Sequence, residues 1–398
     1  VAIFRSFFSG GFECSTHRSQ SGRRLDLIAA TEHDRYVAAD YARLQENGIR
    51  TVREGIRWHL IEQKANQYDF SSVLPILRAS RDTGTEVIWD LCHYGWPDDL
   101  DIFSPHFVRR FALFTRAFSR LLSDETGTVP FICPINEISF FSWASGEVGL
   151  FYPFALDRGH ELKRQLVRAS IESIEAIWSV SPHTRIIHID PAVNVITDPT
   201  KPENAGAAEK YRLAQYEGWD MLSGRLMPEL GGNEKYLDLI GINYYAHNQW
   251  FYPDRTMIPR THPLYRPLRE ILAEVYERYR RPFFIAETGI EDDDRADWLR
   301  YVCTETRAAL KQDVPIEGIC LYPIVNHPGW ADDRHCHNGL LDYADENGER
   351  QIYQPLATEL RRQQILFERA MELHEDRPID LLEHDQHEGS SPMEAGFY

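Results

Sequence analysis

The strongest constraint in this chain is an alternation. Short apolar runs recur eight times, and between them apolar residues fall at helical spacing. The runs are IFRSFFSGGFE from Ile3, IRTVREGIRW from Ile49, TEVIWDLCHYGWP from Thr85 and VPFICPINEI from Val129. They continue with TRIIHIDPAV from Thr184, YLDLIGINYYA from Tyr236, RPFFIAETGI from Arg281 and IEGICLYPIV from Ile316. Helices are expected at His33–Asn47, Ser71–Thr83, Pro105–Ser123, Glu161–Val180, within Ala205–Ser223, and at Leu268–Tyr279 and Ala296–Gln312. Gly48 and Gly84 follow two of them, where a left-handed cap ends a helix. In Glu161–Val180, Leu162, Leu166, Ser170, Ile171, Ile174, Ile177 and Trp178 share one face. Strands joined through helices lie parallel with right-handed crossovers. Eight such units close most economically into a single (β/α)8 TIM barrel of the α/β class. An open doubly wound sheet would carry a glycine-rich phosphate turn after an early strand, and SGGFECS is not that fingerprint. The barrel is expected over residues 1–375, with 376–398 a polar, acidic C-terminal tail.

Charge narrows the partners. There are 43 basic and 61 acidic residues, a net charge of −18, which argues against nucleic acid and against polyanionic substrates. The six cysteines, at 14, 92, 133, 303, 320 and 336, form no C-x-x-C pair. They read as buried free thiols in a reducing compartment. No apolar run is long enough for a membrane span. VAIFRSFFSGG has neither the form of a signal peptide nor an initiator Met, so a cytoplasmic protein with a trimmed N-terminus is expected. Neither a cofactor motif nor a metal-ligand set stands out. His335 and His337 in DDRHCHN lack distant ligand partners, so that stretch reads as a substrate-facing loop or plain surface. EDDDRADW, from Glu291, reads as a helix start with acids at the positive dipole end. Oligomeric state is left open.

Barrels of this kind place chemistry at the C-terminal ends of the strands. There strand 4 delivers Asn136 and Glu137, and strand 7 delivers Glu287. Strand 2 brings Arg53, strand 3 His93 and Trp96, and strand 6 Asn243, Tyr244 and Tyr245. Strand 8 brings Tyr322, Asn326, His327 and Trp330. A carboxylate at the exit of the buried strand FFIAE makes sense at a rim, facing a second one. Two such groups can hydrolyse a glycoside. One attacks the anomeric carbon and the other protonates the leaving oxygen; a spacing of about 5–5.5 Å gives retention. Arg53 and a strand 6 tyrosine hydroxyl are expected to stabilise ionised Glu287, while burial and repulsion keep Glu137 protonated. Asn136 is expected to bond a sugar 2-hydroxyl.

At these residues the chain resembles family 1 of the glycoside hydrolases, within the clan of retaining (β/α)8 glycosidases. ICPINEISFF, LDLIGINYYA and FFIAETGI resemble its acid/base, tyrosine and nucleophile segments. TVREGIRWHLIE and LCHYGWPDDL resemble the strand 2 arginine and strand 3 H-W-D-x-P segments. WASGEVGLFYP and NGLLDYADENGER resemble the stretches after the acid/base and after strand 8. Together these cover most of residues 5–365, in order. The resemblance implies Glu137 as acid/base, Glu287 as nucleophile and a β-glycoside, a carbohydrate, as partner. By the order of its motif, Tyr245 rather than Tyr244 is the tyrosine beside Glu287. It departs where sugars are gripped: N-F-E-W becomes HPGW, so Gly329 stands at the glutamate, while Trp330 remains as a stacking platform. Glu13 is the candidate for the strand 1 glutamine. A divergent retaining exo-β-glycosidase is the leading reading. A transglycosylase on the same site, a non-catalytic carbohydrate-binding barrel and a metal-dependent barrel hydrolase are the alternatives. Trp96, Trp143 and Trp250, taken singly, read more as packing than as platforms.

Overall fold

The computed structural model describes residues 2–375. The expected tail, 376–398, lies outside the described residues. The eight runs form eight strands: β1 Phe8–Gly11, β2 Thr51–Gly55, β3 Glu86–Asp90 and β4 Phe131–Cys133. Then come β5 Arg185–Pro191, β6 Leu239–Asn243, β7 Phe283–Thr288 and β8 Ile316–Leu321. All pair in parallel and close into one barrel, each strand beside its neighbour in sequence and β8 beside β1.

The helices follow the apolar spacing. They span His33–Glu46, Leu74–Thr83, Pro105–Glu125, Gly159–Trp178, Ala205–Leu213, Glu217–Leu222, Leu268–Tyr279 and Arg295–Leu310. Gly84, at φ 69°, ends its helix in the left-handed region that favours glycine. Ser104 caps the helix that opens on Pro105, its side chain accepting from His106 N at 3.2 Å. Leu162, Leu166, Ser170, Ile171, Ile174 and Ile177 are all buried, so the helix after β4 turns its expected face inward. A further helix, Gln354–Glu375, closes the ring; Leu356, Leu360 and Phe367 bury its inner face. Also beyond the sequence reading is a small sheet of Asn194–Thr197, Gln249–Tyr252 and Thr256–Met257, built from the segments after β5 and β6.

The barrel interior is layered. At its lower end Phe4, Ile88, Phe131, Ile187, Ile189, Leu239, Phe284 and Ala286 form one apolar cluster, with Phe4 against Phe131 at 5.1 Å and Phe284 at 5.0 Å. Two residues further along β2 and β3, the inward positions hold Arg53 and Asp90. So the apolar layer sits beneath a charged one, and the charged one is the floor of the site.

Candidate active site

Strand period alone would not aim Glu287 into the barrel, because Phe284 and Ala286 take the inward positions of β7. The pairing of β7 with β6 slips between Ile285 and Glu287, and this irregularity re-aims the side chain. Glu137 is placed differently. It lies past the end of β4 with φ 47°, a left-handed backbone costing on the order of 1–2 kcal/mol for a residue with a Cβ. Its N–H donates to Ile189 O at 2.9 Å, and Asn136 N–H donates to Cys92 O at 3.0 Å, so both neighbouring strands hold the turn. Asp190, at the end of β5, accepts from Ser139 N at 2.9 Å and fixes the short helix Ile138–Ser142 that follows.

Each oxygen of Glu287 has a donor. Arg53 Nη1 donates to Oε1 at 2.6 Å and the Tyr245 hydroxyl to Oε2 at 2.8 Å. Arg53 is 1% exposed, and its other amino group lies 2.6 Å from Asp90 Oδ2. A buried guanidinium needs such counter-ions, because removing either would leave an uncompensated charge. Glu137 also has a donor on each oxygen: Asn243 Nδ2 at 2.8 Å on Oε1 and the Tyr94 hydroxyl on Oε2. Burial, then repulsion from Glu287, nevertheless pushes its pKa up to about 8. One carboxylate is thus ion-paired and the other kept protonated near neutrality, the division of labour that acid and nucleophile need.

Both carboxylates face a cavity of about 1110 Å³. Glu13, His93, Tyr245 and Trp330, all expected at the site, line it. Glu13 is 8% exposed; its Oε1 accepts from Ser15 N at 2.9 Å and from Ser15 Oγ at 2.5 Å. His93 stacks parallel to Tyr322 at 6.2 Å, and Tyr322 also faces the cavity. A Cβ on Gly11 would overlap the Tyr322 ring, so glycine at the end of β1 makes room for it.

Four expectations change. Trp96 does not reach the cavity: it is 3% exposed, its Nε1 donates to Leu100 O at 2.8 Å, and it packs against Phe107, Phe141 and Tyr152. Asn136 is fully buried and has no open face for a sugar hydroxyl. Its Oδ1 accepts from Arg53 at 2.5 Å, and its Nδ2 donates to Tyr94 at 3.0 Å and lies 3.2 Å from His93 Nε2. Conversely, Trp143 and Trp250 do line the cavity, with the Arg255 guanidinium 4.6 Å from the Trp143 ring centre. Asn243 is buried as well and serves Glu137 rather than the open cavity. In DDRHCHN, Asp332, Arg334, Cys336 and Asn338 line the cavity, while His335 stacks on His337 at 4.2 Å.

Asp90, Tyr94 and Asp190 escaped the sequence reading. Asp90 was findable: Arg53 was assigned to a buried strand end, and its inward neighbour on β3 had to be an anion. Tyr94 and Asp190 carry no comparable signal. Cys14, Asp90 and His93 bring one potential ligand atom each within 4.8 Å of one another. Sequence had found only His93 there. Arg53 already supplies positive charge to Asp90, which makes this set a poor cation site.

No family profile matches the sequence, and no curated protein matches it. Solved structures do match. A family 1 β-glucosidase from Thermotoga maritima shares 16% identity at a TM-score of 0.73, over 90% of this chain and 97% of that one. The β-glucosidase from Thermotoga maritima in complex with glucoimidazole gives 16% and 0.74, over 91% and 99%. Its complex with deoxynojirimycin gives 15% and 0.72, over 90% and 98%. Similarity at this level of identity is similarity of fold, and the chain has the (β/α)8 fold of the family 1 β-glucosidases.

Proposed function

We propose that the protein is a retaining exo-β-glycosidase acting by double displacement. The observation that carries this is the pairing of a buried Glu137, whose pKa burial and Glu287 raise, with a Glu287 gripped by Arg53 and Tyr245 across one cavity. In the first step Glu287 attacks the anomeric carbon while the bond to the leaving oxygen breaks and Glu137 gives that oxygen its proton. In the second, Glu137 takes a proton from water, the water oxygen bonds to the anomeric carbon, and Glu287 departs. Similar structures hold the sugar-like glucoimidazole and deoxynojirimycin, which supports a carbohydrate ligand here.

The glycone would sit at the inner end, above the Arg53 and Asp90 layer, with Trp330 as a stacking face. Glu13 offers it a hydrogen-bond acceptor and, being a carboxylate, disfavours anionic sugars. The space beside Gly329 is filled by Asp332, so sugar contacts made elsewhere by a glutamate at this position are absent. The aglycone would leave past Phe140, Trp143 and Trp250. That aromatic vestibule has room for an acceptor sugar, so transglycosylation is the second reading; product analysis with an added acceptor separates it from hydrolysis.

The test is a panel of aryl β-glycosides (gluco, galacto, fuco, manno, xylo and arabino) with Glu287→Gln as control. Turnover of at least one, reduced by at least about a thousandfold in the variant, is expected. Equal rates in both proteins would remove Glu287 from the mechanism. Silence across the panel with folded protein would favour a barrel that binds without cutting.

A further inference from the structure

A continuous hydrogen-bonded chain joins the two carboxylates along the buried side of the cavity. Glu287 Oε1 accepts from Arg53 Nη1 at 2.6 Å, and Arg53 Nη2 donates to Asn136 Oδ1 at 2.5 Å. Asn136 Nδ2 donates to the Tyr94 hydroxyl at 3.0 Å, and that hydroxyl donates to Glu137 Oε2. Every bond in the chain is buried; the three from Arg53 through Asn136 and Tyr94 all point towards Glu137, while the other amino group of Arg53 donates the opposite way, to Glu287. Bonds aligned head to tail polarise one another, most strongly where water is excluded. Tyr94 is held in an unusual conformation to take this place: its φ is 67°, a left-handed backbone that bulky residues rarely adopt. Its ring packs edge-on to Phe140, Phe141 and Trp330, so the hydroxyl has little freedom to swing away.

We propose that Tyr94 is the positioning residue that switches Glu137 from acid to base, its donation strengthening through Asn136 and Arg53 once Glu287 carries the sugar. The inference rests on the glycosidase reading. In the free enzyme Glu287 shares the charge of Arg53, and its repulsion together with burial keeps the proton on Glu137. When Glu287 becomes a glycosyl ester it loses its negative charge. Arg53 then pulls harder on Asn136, Asn136 on Tyr94, and Tyr94 holds Glu137 ionised so that it can accept a proton from water. No group besides Glu137 gains or loses a proton in the chain.

Other groups face this pair and stay in place. Asn243 and Tyr245 approach from the end of β6, Glu287 from β7 and Asp190 from β5. Glu13 acts on Tyr94 through space, and His93 and His17 lie against its ring at 4.6 and 6.2 Å. None of them donates to Glu137 Oε2, so removing the Tyr94 hydroxyl takes away the only protein donor on that oxygen among the described residues.

The experiment is Tyr94→Phe, which deletes one oxygen, read in two ways. The first needs no turnover: titration of the Glu137 carboxyl by carbon NMR of glutamate-labelled protein, assigned with Glu137→Gln. Losing a hydrogen bond to a charged group should move that titration upward by about one to two pH units. Replacing Tyr94 by 3-fluorotyrosine, a stronger donor, should move it the other way. The second readout is kinetic. With an activated aryl glycoside, Tyr94→Phe should show a burst followed by slow turnover, kcat and KM falling together as glycosyl-enzyme accumulates. An unmoved titration in both folded variants overturns the proposal, and so does a kcat that falls with KM unchanged and no burst. A moved titration in a protein that cleaves no glycoside upholds the hydrogen-bond assignment and overturns the proposed function instead.

Discussion

At the scale of single residues, the site is set by what surrounds two glutamates. In the proposed mechanism Glu137, held up to about 8 by burial and by Glu287, must be protonated for the first step. The rate of that step, read as kcat/KM, should therefore be flat near neutrality and fall as pH rises through about 8. A basic limb instead near the ordinary carboxylate range would show that Glu137 is not the acid. Glu137→Gln should slow substrates with poor leaving groups by about 10²- to 10⁴-fold while sparing activated aryl glycosides in the first step. Equal loss on both classes would argue against its role. Both glutamates and Arg53 were legible in the sequence because strand ends and their order along the chain place them; Tyr245 was separated from Tyr244 only by the resemblance of its segment to a family motif. Asn136 was placed correctly but given the wrong partner. A sequence cannot show that Tyr94 would fold back between that amide and the cavity.

At the scale of elements, the period of the apolar residues was enough to place every barrel strand and the helices between them. The final helix, Gln354–Glu375, was readable too: Leu356, Leu360 and Phe367 repeat at helical spacing. It was passed over beside the acidic segment that follows. The sheet containing Trp250 and Met257 could not be read, because its strands are short and half-exposed and their partners lie far apart in sequence. One packing feature outside the barrel has a testable pH signature. His33, on the first long helix, is buried with Nδ1 2.7 Å from Asp40 and Nε2 2.9 Å from Glu54 on β2; Arg350 also reaches Asp40, at 2.5 Å. Burial opposes its charge, but Glu54 and Asp40 more than offset this and hold its pKa up to about 9. A pKa raised on folding gives stability that is full below about 6.5 and lost as pH rises through about 9. Thermal unfolding of His33→Gln should thus differ from the parent most near pH 6, with the pH-dependent part on the order of 3 kcal/mol. A gap that stays constant up to pH 10 would mean that His33 is neutral in the fold.

At the scale of the whole molecule, a barrel core and a shallow layer of charge above it divide the work. The apolar cluster around Phe4 and Ile187 closes the bottom of the barrel, and Arg53 and Asp90 form a floor that the cavity rests on. All six cysteines are buried and unpaired, in keeping with their reading as core thiols. Among the described residues no helix is long and apolar enough to cross a membrane. Fold class was legible because it depends on a pattern repeated eight times, which single substitutions do not erase. The outer wall of the cavity was less so: it is made of loops after the strands, where Gly329, Asp332 and Trp143 take positions that no periodicity dictates.

The central claim, that Glu287 forms a covalent bond to the sugar, can be tested directly. The protein would be incubated with an activated aryl 2-deoxy-2-fluoro-β-glycoside of the sugar it prefers. The fluorine slows both steps, and the good leaving group lets the first proceed. Mass spectrometry should then show the intact protein heavier by one fluorosugar, with the adduct on the peptide containing Glu287. An unmodified protein that still turns over the parent glycoside, or an adduct on another residue, would contradict the account.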